Sequence, residues 1–175
     1  ILVFLPIIRG YYIFGSGDVL THIGYINDIL IHRHFGSLNV YPINHIFATV
    51  IHYLSGLSII SITLLIPPLF SLFFLVSLYV FLKIFFKEKR ILFVFLIFAF
   101  IPLLGYYYTA FVPYVQSFLL LPFFLYLLIK NCEENKRKKF YSLLLIISIL
   151  TVFYHPLTAL IMVLIIILFK YSIKI

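Results

Sequence analysis

Charged residues are scarce in this chain: only 10% of its 175 residues are Asp, Glu, Lys or Arg, and 65% are hydrophobic. Soluble domains carry about 25% charged residues, so this composition excludes an ordinary soluble domain. A chain this apolar is typical of a polytopic membrane protein. We therefore predict an all-α fold, in which the helices of a transmembrane bundle cross the lipid bilayer.

Cysteine and the common catalytic motifs are also scarce. The single cysteine, Cys132, excludes an internal disulfide bond. The sequence contains no P-loop and no GxGxxG, CxxC, HExxH or GxSxG motif, so it does not encode a recognisable nucleotide-driven pump. The net charge of +8 does not indicate nucleic-acid binding, because the basic residues cluster at the ends of apolar runs.

These basic clusters predict the membrane topology. Lysine and arginine concentrate in the segments 83–90, 130–139 and 170–174, which the positive-inside rule places in the cytoplasm. Residues 59–175 then form a bundle of about five spans, and residues 1–58 contain the end of a first span and an outer loop. We expect a multi-pass protein of the plasma membrane with residues 9–58 outside. Because the chain begins inside an apolar run, we also expect a larger protein or partner subunits around it.

The outer loop is the one long polar stretch, and two amphipathic helices are predicted in it. At about 100° per residue, polar side chains between residues 18 and 32 fall within an arc of roughly 120°, opposite an apolar face. A second polar stripe follows in residues 45–56, where Gly56 ends the helix. We predict that residues 18–34 and 45–56 lie along the membrane outside the main bundle. The stripes consist of Asp18, Thr21, His22, Tyr25, Asp28 and His32, and of His45, Thr49, His52 and Ser55.

The order of these features in residues 1–90 resembles the integral-membrane glycosyltransferases of the GT-C fold. That superfamily includes protein O-mannosyltransferases, aminoarabinose transferases and oligosaccharyltransferase catalytic subunits. The resemblance implies transfer of a sugar from a polyprenyl-phosphate carrier to an unidentified acceptor on the outer face of the membrane. The matching residues are Gly17-Asp18 with His22 four positions on, Gly36, Tyr41-Pro42 with His45, and Gly56-Leu57-Ser58.

The resemblance implies that Asp18 is the catalytic residue, because it stands where the family keeps the acid of its first outer loop. Inverting transfer needs a base that takes the proton of the acceptor hydroxyl. A purely structural alternative exists, since an Asp ahead of an apolar-periodic run is a good N-cap. Many family members carry two acidic residues here, whereas this chain has Gly17-Asp18-Val19. No cofactor is certain, and a divalent metal is an open alternative.

Five further residues are candidates for substrate binding, and several have simpler interpretations. Asp28 and His32 are spaced as a surface pair worth about 0.3–0.5 kcal/mol, or as part of a zinc site. His155 separates two short apolar runs, which indicates either a functional group at membrane depth or an interfacial turn. A haem held by His52 and His155 is a more remote alternative. The candidates are His22, Asp28, Tyr41, His45 and His155.

A different class of function fits the same features. A transporter or membrane-complex subunit without chemistry of its own could bind an ion or a partner at the outer His/Asp stripe. Transporters place such groups near the middle of their spans, whereas here they lie outside the first predicted span. The sequence therefore favours the enzyme. A cavity open to lipid and outer water beside Asp18 would support it, and a polar path through the bundle would support the transporter.

Overall fold

The computed structural model describes residues 4–15, 17–101, 103, 105–132 and 137–172, and the regular structure in these ranges is helical without a β-strand. The all-α prediction is confirmed for this part of the chain. The helices are α1 (Leu5–Ile8), α2 (Asp18–His32), α3 (Ile43–Ser55), α4 (Ile59–Leu82), α5 (Lys89–Phe100), α6 (Tyr106–Thr109), α7 (Pro113–Leu119), α8 (Leu121–Cys132), α9 (Arg137–Tyr154) and α10 (Pro156–Ser172).

Helix α4 is the element around which most of the others pack, since it contacts α1, α2, α3, α5, α6, α7 and α8. Its start is fixed by Ser58, whose hydroxyl oxygen accepts a hydrogen bond of 3.1 Å from the Ser61 N–H. Pro67 and Pro68 lie inside the helix without ending it. With 24 residues at about 1.5 Å each, α4 is roughly 36 Å long, enough to cross the hydrocarbon core of a bilayer.

Two helical segments are long and apolar enough to cross a membrane: α4, and Pro113–Cys132, in which α8 directly follows α7. This criterion uses length and composition alone. The apolar segments Phe140–Tyr154 and Pro156–Lys170 are shorter. The predicted count of about five spans therefore stays a prediction. The first predicted span is described only as the single turn α1, because residues 1–3 lie outside the described residues.

The outer loop folds as two separate helices, as predicted, although their ends differ. Helix α2 ends at His32, two residues before the predicted end, and Arg33 follows with a φ of +60°. Helix α3 begins at Ile43, two residues before the predicted start. It ends at Ser55 because Gly56 adopts a φ of +70°, a left-handed conformation that glycine adopts without steric cost. Residues 45–66 are consequently not one continuous helix.

Helices α2 and α3 share a core with the main bundle, so the prediction that they lie apart from it is wrong, while their orientation along the membrane stays a prediction. Val19 and Ile26 of α2 and Ala48 of α3 are buried in one cluster with Ile62 and Ile66 of α4. The apolar side chains of an amphipathic helix need a surface that covers them, and α4 supplies it. Helices α2 and α3 are therefore held in fixed positions relative to the bundle.

The break between α9 and α10 falls at His155, where the sequence predicted it. Pro156 is the first residue of α10, a position at which its missing N–H costs nothing. Beyond the break, Thr158 is fully buried and its hydroxyl lies 2.7 Å from that of Ser117 in α7. The break thus brings His155 to the end of the molecule that also carries the start of α7.

Candidate active site

Asp18 is the first residue of α2, and its carboxylate does not cap that helix. Gly17 holds the N-cap position with a φ of +52°, and within the described chain no side chain caps this turn. The N-cap interpretation is therefore wrong. Instead, Oδ1 of Asp18 lies 3.4 Å from Nε2 of His22, one turn further on. The Asp18 side chain is 62% exposed, whereas that of His22 is 3% exposed.

His22 belongs to the buried face of α2, not to a solvated polar stripe. Val19, His22 and Ile26 are the buried residues of the helix, while Leu20, which the periodicity placed on the apolar face, is 50% exposed. The predicted stripe is therefore wrong at His22, whereas Asp18, Thr21 and His32 are exposed as predicted. An imidazole buried in a core needs hydrogen-bond partners; Nε2 of His22 faces the Asp18 carboxylate, and Nδ1 has a buried partner.

The second partner of His22 is His45 of α3. Nδ1 of His22 lies 2.9 Å from Nε2 of His45, and the two rings are stacked with centroids 5.1 Å apart. His45 is fully buried, and its Nδ1 lies 2.8 Å from Oδ1 of Asn39 in the loop before α3. Asp18, His22, His45 and Asn39 thus form one continuous line from the surface into the core, called here the histidine chain.

Burial keeps both imidazoles of the histidine chain neutral at neutral pH. Desolvation, and to a smaller extent the neighbouring His22, lower the pKa of His45 to about 3. Desolvation also lowers the pKa of His22, and the negative charge of Asp18 offsets part of that effect. The site therefore joins an exposed carboxylate to two uncharged imidazoles, and the charge of Asp18 raises the proton affinity of the nearer one, His22.

Aromatic side chains surround the outer end of the histidine chain. The Tyr41 ring lies between His22 and His155, with centroid distances of 6.2 and 5.5 Å. Tyr114 lies 5.9 Å from His155 on the other side, and Tyr107 lies 6.4 Å from Tyr114. These four residues, Tyr41, Tyr107, Tyr114 and His155, are called here the aromatic patch. The pKa of Tyr41 is raised by burial and then by the charge of Asp18, so the patch lies beside that carboxylate.

Five of the six predicted site residues come together in this way, and Asp28 does not. It lies ten residues from Asp18 on the same helix, about 15 Å along its axis. Its Oδ1 is 2.8 Å from Nδ1 of His32, and the two side chains are 40% and 55% exposed. Asp28 thus forms the surface pair that was the simpler interpretation of its spacing. The residues that come together are Asp18, His22, Tyr41, His45 and His155.

The metal and haem alternatives find no ligand set in the part of the chain that is described. No group of three or more His, Cys, Asp or Glu side chains is placed there to hold a metal ion. His52 donates a hydrogen bond of 2.7 Å from Nδ1 to the carbonyl of Leu57, at the end of α3. His155, the other proposed haem ligand, lies within the aromatic patch.

Sequence reasoning missed a second buried polar chain next to the site. Nδ2 of Asn44 donates to Oε1 of Gln116 at 3.0 Å, and the Tyr154 hydroxyl donates to Oδ1 of Asn44 at 2.9 Å. Gln116 in turn donates to the carbonyl of Ala110 at 3.3 Å. These bonds tie α3 to α7 and α9. One sequence signal was available, since Gln116 is the only carboxamide in the apolar run 113–129.

Comparison with known proteins does not assign the chain to a family. No protein-family model, curated protein or solved structure matches it. The similarity to GT-C glycosyltransferases therefore stays a prediction from the residues quoted above, and the argument for function rests on the site itself.

Proposed function

We propose that this chain is a membrane glycosyltransferase that uses a polyprenyl-phosphate-linked sugar. The observation that carries the proposal is the position of Asp18. It is an exposed carboxylate that touches a buried, neutral imidazole, and its charge acts on the Tyr41 ring of the aromatic patch. Transfer to a hydroxyl group requires a base. A proton acceptor in contact with that base and a nearby surface that binds the sugar would both assist the transfer.

In the proposed reaction Asp18 acts as the general base. Its carboxylate takes the proton of the acceptor hydroxyl while that oxygen forms a bond to the anomeric carbon of the donor sugar. The bond between the anomeric carbon and the phosphate oxygen breaks, and its electron pair leaves with the polyprenyl phosphate. Phosphate is already a good leaving group, so the protein mainly has to position the donor and deprotonate the acceptor.

The aromatic patch is the proposed sugar-binding surface. Tyr107 and Tyr114 are 58% and 36% exposed, so their rings are available for contact with the apolar face of a sugar. Nδ1 of His155 is buried and has no hydrogen-bond partner among the described residues. A buried polar atom without a partner is costly, and a sugar hydroxyl or donor phosphate bound at the patch would satisfy it.

The apolar surface supports a location in the membrane and a lipid-linked donor. Side chains such as Val76 of α4 and Leu168 of α10 are 63% and 65% exposed, which suits contact with lipid better than contact with water. A cavity of about 180 Å³ lined by Phe74 and Leu119 lies where α4 meets α7 and α8, and it is large enough for part of a prenyl chain. We propose a multi-pass plasma-membrane protein with residues 9–58 outside.

A transporter or membrane-complex subunit is the second candidate, and one observation favours it. The chain formed by Asn44, Gln116 and Tyr154 carries polar groups into the bundle. These groups hydrogen-bond to one another and none is ionised at neutral pH, which fits a link between helices at least as well as a transport path. The enzyme remains the better candidate because Asp18 is exposed next to its proton acceptor.

The proposed donor class can be tested with membranes that contain the full-length protein. We expect sugar transfer from polyprenyl-phosphate-linked donors and none from the corresponding nucleotide sugars, because in the proposed reaction the leaving group is the polyprenyl phosphate. Membranes without the protein are the control. Transfer from nucleotide sugars alone would contradict the proposal, as would binding of lipid-linked sugar that is never followed by transfer.

The proposed orientation can be tested by cysteine labelling in intact cells. Cys132 is exposed at the end of α8 and is predicted inside, so a membrane-impermeant maleimide should not label it. In a Cys132→Ala background, Ser37→Cys places a thiol at an exposed position of the outer loop, and that thiol should be labelled. The opposite pattern would reverse the topology and place Asp18 in the cytoplasm.

A further inference from the structure

The hydrogen bonds of the histidine chain have a direction. Oδ1 of Asn39 can only accept, so Nδ1 of His45 carries the proton that joins them at 2.8 Å. A neutral His45 then has a lone pair on Nε2 and must accept from Nδ1 of His22, 2.9 Å away. This leaves Nε2 of a neutral His22 without a proton, and that nitrogen is the one facing Asp18 at 3.4 Å.

Two hydrogen-bond acceptors therefore face each other at the outer end of the chain. Their separation of 3.4 Å exceeds the usual 2.7–3.2 Å of a hydrogen bond. The exposed pair formed by Asp28 and His32 on the same helix is closer, at 2.8 Å. Two acceptors cannot hydrogen-bond to each other, and a proton placed between them would be stabilised by the charge of Asp18.

We infer that Asn39 is a positioning residue that acts through His45. It holds His22 as the tautomer whose Nε2 receives the proton that Asp18 removes from the acceptor. The inference rests on the proposed transfer reaction and deepens it. The proton moves from the acceptor hydroxyl to Oδ1 of Asp18 and then to Nε2 of His22. The resulting imidazolium keeps its Nδ1–H bond to His45, and it later loses the Nε2 proton to water through Asp18.

The other groups that face the histidine chain leave this direction unchanged. The rings of Tyr25 and Tyr41 pack against His22, and Tyr25 also packs against His45. Phe111 meets the edge of His22. Among the described residues packed there, Asp18 is the one carboxylate, and its charge favours a proton on Nε2 of His22. The opposite tautomer therefore depends on Asn39 at the other end of the chain.

The amide nitrogen of Asn39 indicates why a neutral Asn, and not an Asp, is needed at this position. Nδ2 is buried and makes no hydrogen bond within the described residues, which destabilises the fold. An Asp at this position would avoid that cost and accept the same hydrogen bond. However, its negative charge would favour protonated imidazoles and would occupy the nitrogen that has to receive the proton.

Nitrogen-15 NMR of the histidines tests the inference without an activity assay. In full-length protein in lipid nanodiscs, His22 should carry its proton on Nδ1 in the wild type, with His22→Gln used to assign the signal. Asn39→Leu removes the hydrogen-bond acceptor, so His45 can adopt its other tautomer and donate from Nε2. His22 should then carry its proton on Nε2. Asn39→Asp should restore the wild-type tautomer.

Transfer activity and its pH dependence give the second readout. Asn39→Leu should lower transfer by about 10- to 100-fold, less than loss of the base itself. Asn39→Asp should recover most of that loss but move the acid limb of the pH profile to higher pH, because its charge favours protonated histidine. The same substitutions at the exposed Asn27 of α2 are the control and should change neither readout.

The outcomes separate the two proposals. If Asn39→Leu leaves the His22 tautomer and the activity unchanged, the positioning role is wrong even though the transferase can stand. If Asp18→Asn is fully active, the transferase is wrong, while the NMR result still decides what Asn39 does. If the Asn39→Leu protein does not accumulate, the test rests on Asn39→Asp. An acid limb of the pH profile at the same pH as in the wild type would then contradict the inference.

Discussion

Two carboxylate–histidine pairs with the same spacing lie on one helix, and they differ in almost every other property. In Asp28–His32 both side chains are exposed and their atoms are 2.8 Å apart, whereas in Asp18–His22 the imidazole is buried and the contact is 3.4 Å. Spacing brings the groups together in both cases. What distinguishes them is the surroundings of the histidine. His32 is 55% exposed, with the exposed His34 ring 5.9 Å away, whereas His22 is hydrogen-bonded to a second buried histidine. Only the buried pair has a proton acceptor of fixed orientation.

The largest difference between the two pairs is expected when each histidine is removed. His22→Gln should lower sugar transfer by about 10- to 100-fold, because Asp18 loses the group that accepts its proton. His32→Gln should change transfer by less than about twofold, since exposed pairs contribute little. Rates of transfer in membranes, normalised to the amount of folded protein, provide the measurement. Equal losses in the two variants would mean that burial does not distinguish the pairs.

Lowering the pH should reduce the stability of the fold through the buried histidines. In the unfolded chain a histidine titrates near pH 6.5, whereas the folded-state pKa of His45 is about 3 and that of His22 is lowered. Above pH 6.5 both states are neutral and the stability is fully present. As the pH falls from 6.5 towards 3, only the unfolded state binds protons at His45. The free energy of unfolding should therefore fall by up to about 1.4 kcal/mol per pH unit for this histidine.

Thermal unfolding in detergent between pH 7.5 and 5 would measure this loss. His45→Gln removes one titrating group, so its melting temperature should depend less steeply on pH than that of the wild type. His32→Gln should keep the wild-type steepness. Parallel curves for wild type and His45→Gln would show that the buried histidine is not held neutral in the fold.

The smallest expected effect is on the stability of the exposed pair. Asp28→Asn should change the free energy of unfolding by no more than about 0.3–0.5 kcal/mol, and added salt should reduce the effect further. Denaturation of Asp28→Asn with and without 1 M salt checks this. A loss of several kcal/mol would contradict the description of Asp28 and His32 as a surface pair, and it would give Asp28 a role in the fold.

Hydrophobic periodicity and the positions of Gly and Pro predicted the helices well, because both act locally along the chain. Gly56 ends α3 through its own backbone conformation, and Pro156 starts α10 through its own ring. The interpretation of Asp18 as an N-cap was wrong for a local reason, since Gly17 takes the N-cap position of α2 with a positive φ. A helical wheel also placed His22 with the polar residues but could not say that α3 would cover that face.

The contacts that make the site lie beyond the reach of local patterns. His22 and His45 are 23 residues apart, Asn44 and Gln116 are 72 apart, and Asn44 and Tyr154 are 110 apart. Which polar groups meet inside the bundle depends on how α3 packs against α2, α7 and α9. The sequence identified five of the residues that form the site, but not the order of the hydrogen bonds that gives the site its direction.

The most direct test of the account compares Asp18→Asn with Asp28→Asn. Asn retains the shape of the side chain, and Asp18 does not cap its helix, so both variants should fold and accumulate as the wild type does. Sugar transfer from a polyprenyl-phosphate donor, measured in membranes with each full-length variant, should fall by about 10²–10⁴-fold in Asp18→Asn. Asp28→Asn should retain nearly all activity. Full activity in Asp18→Asn would remove the proposed base and contradict the account.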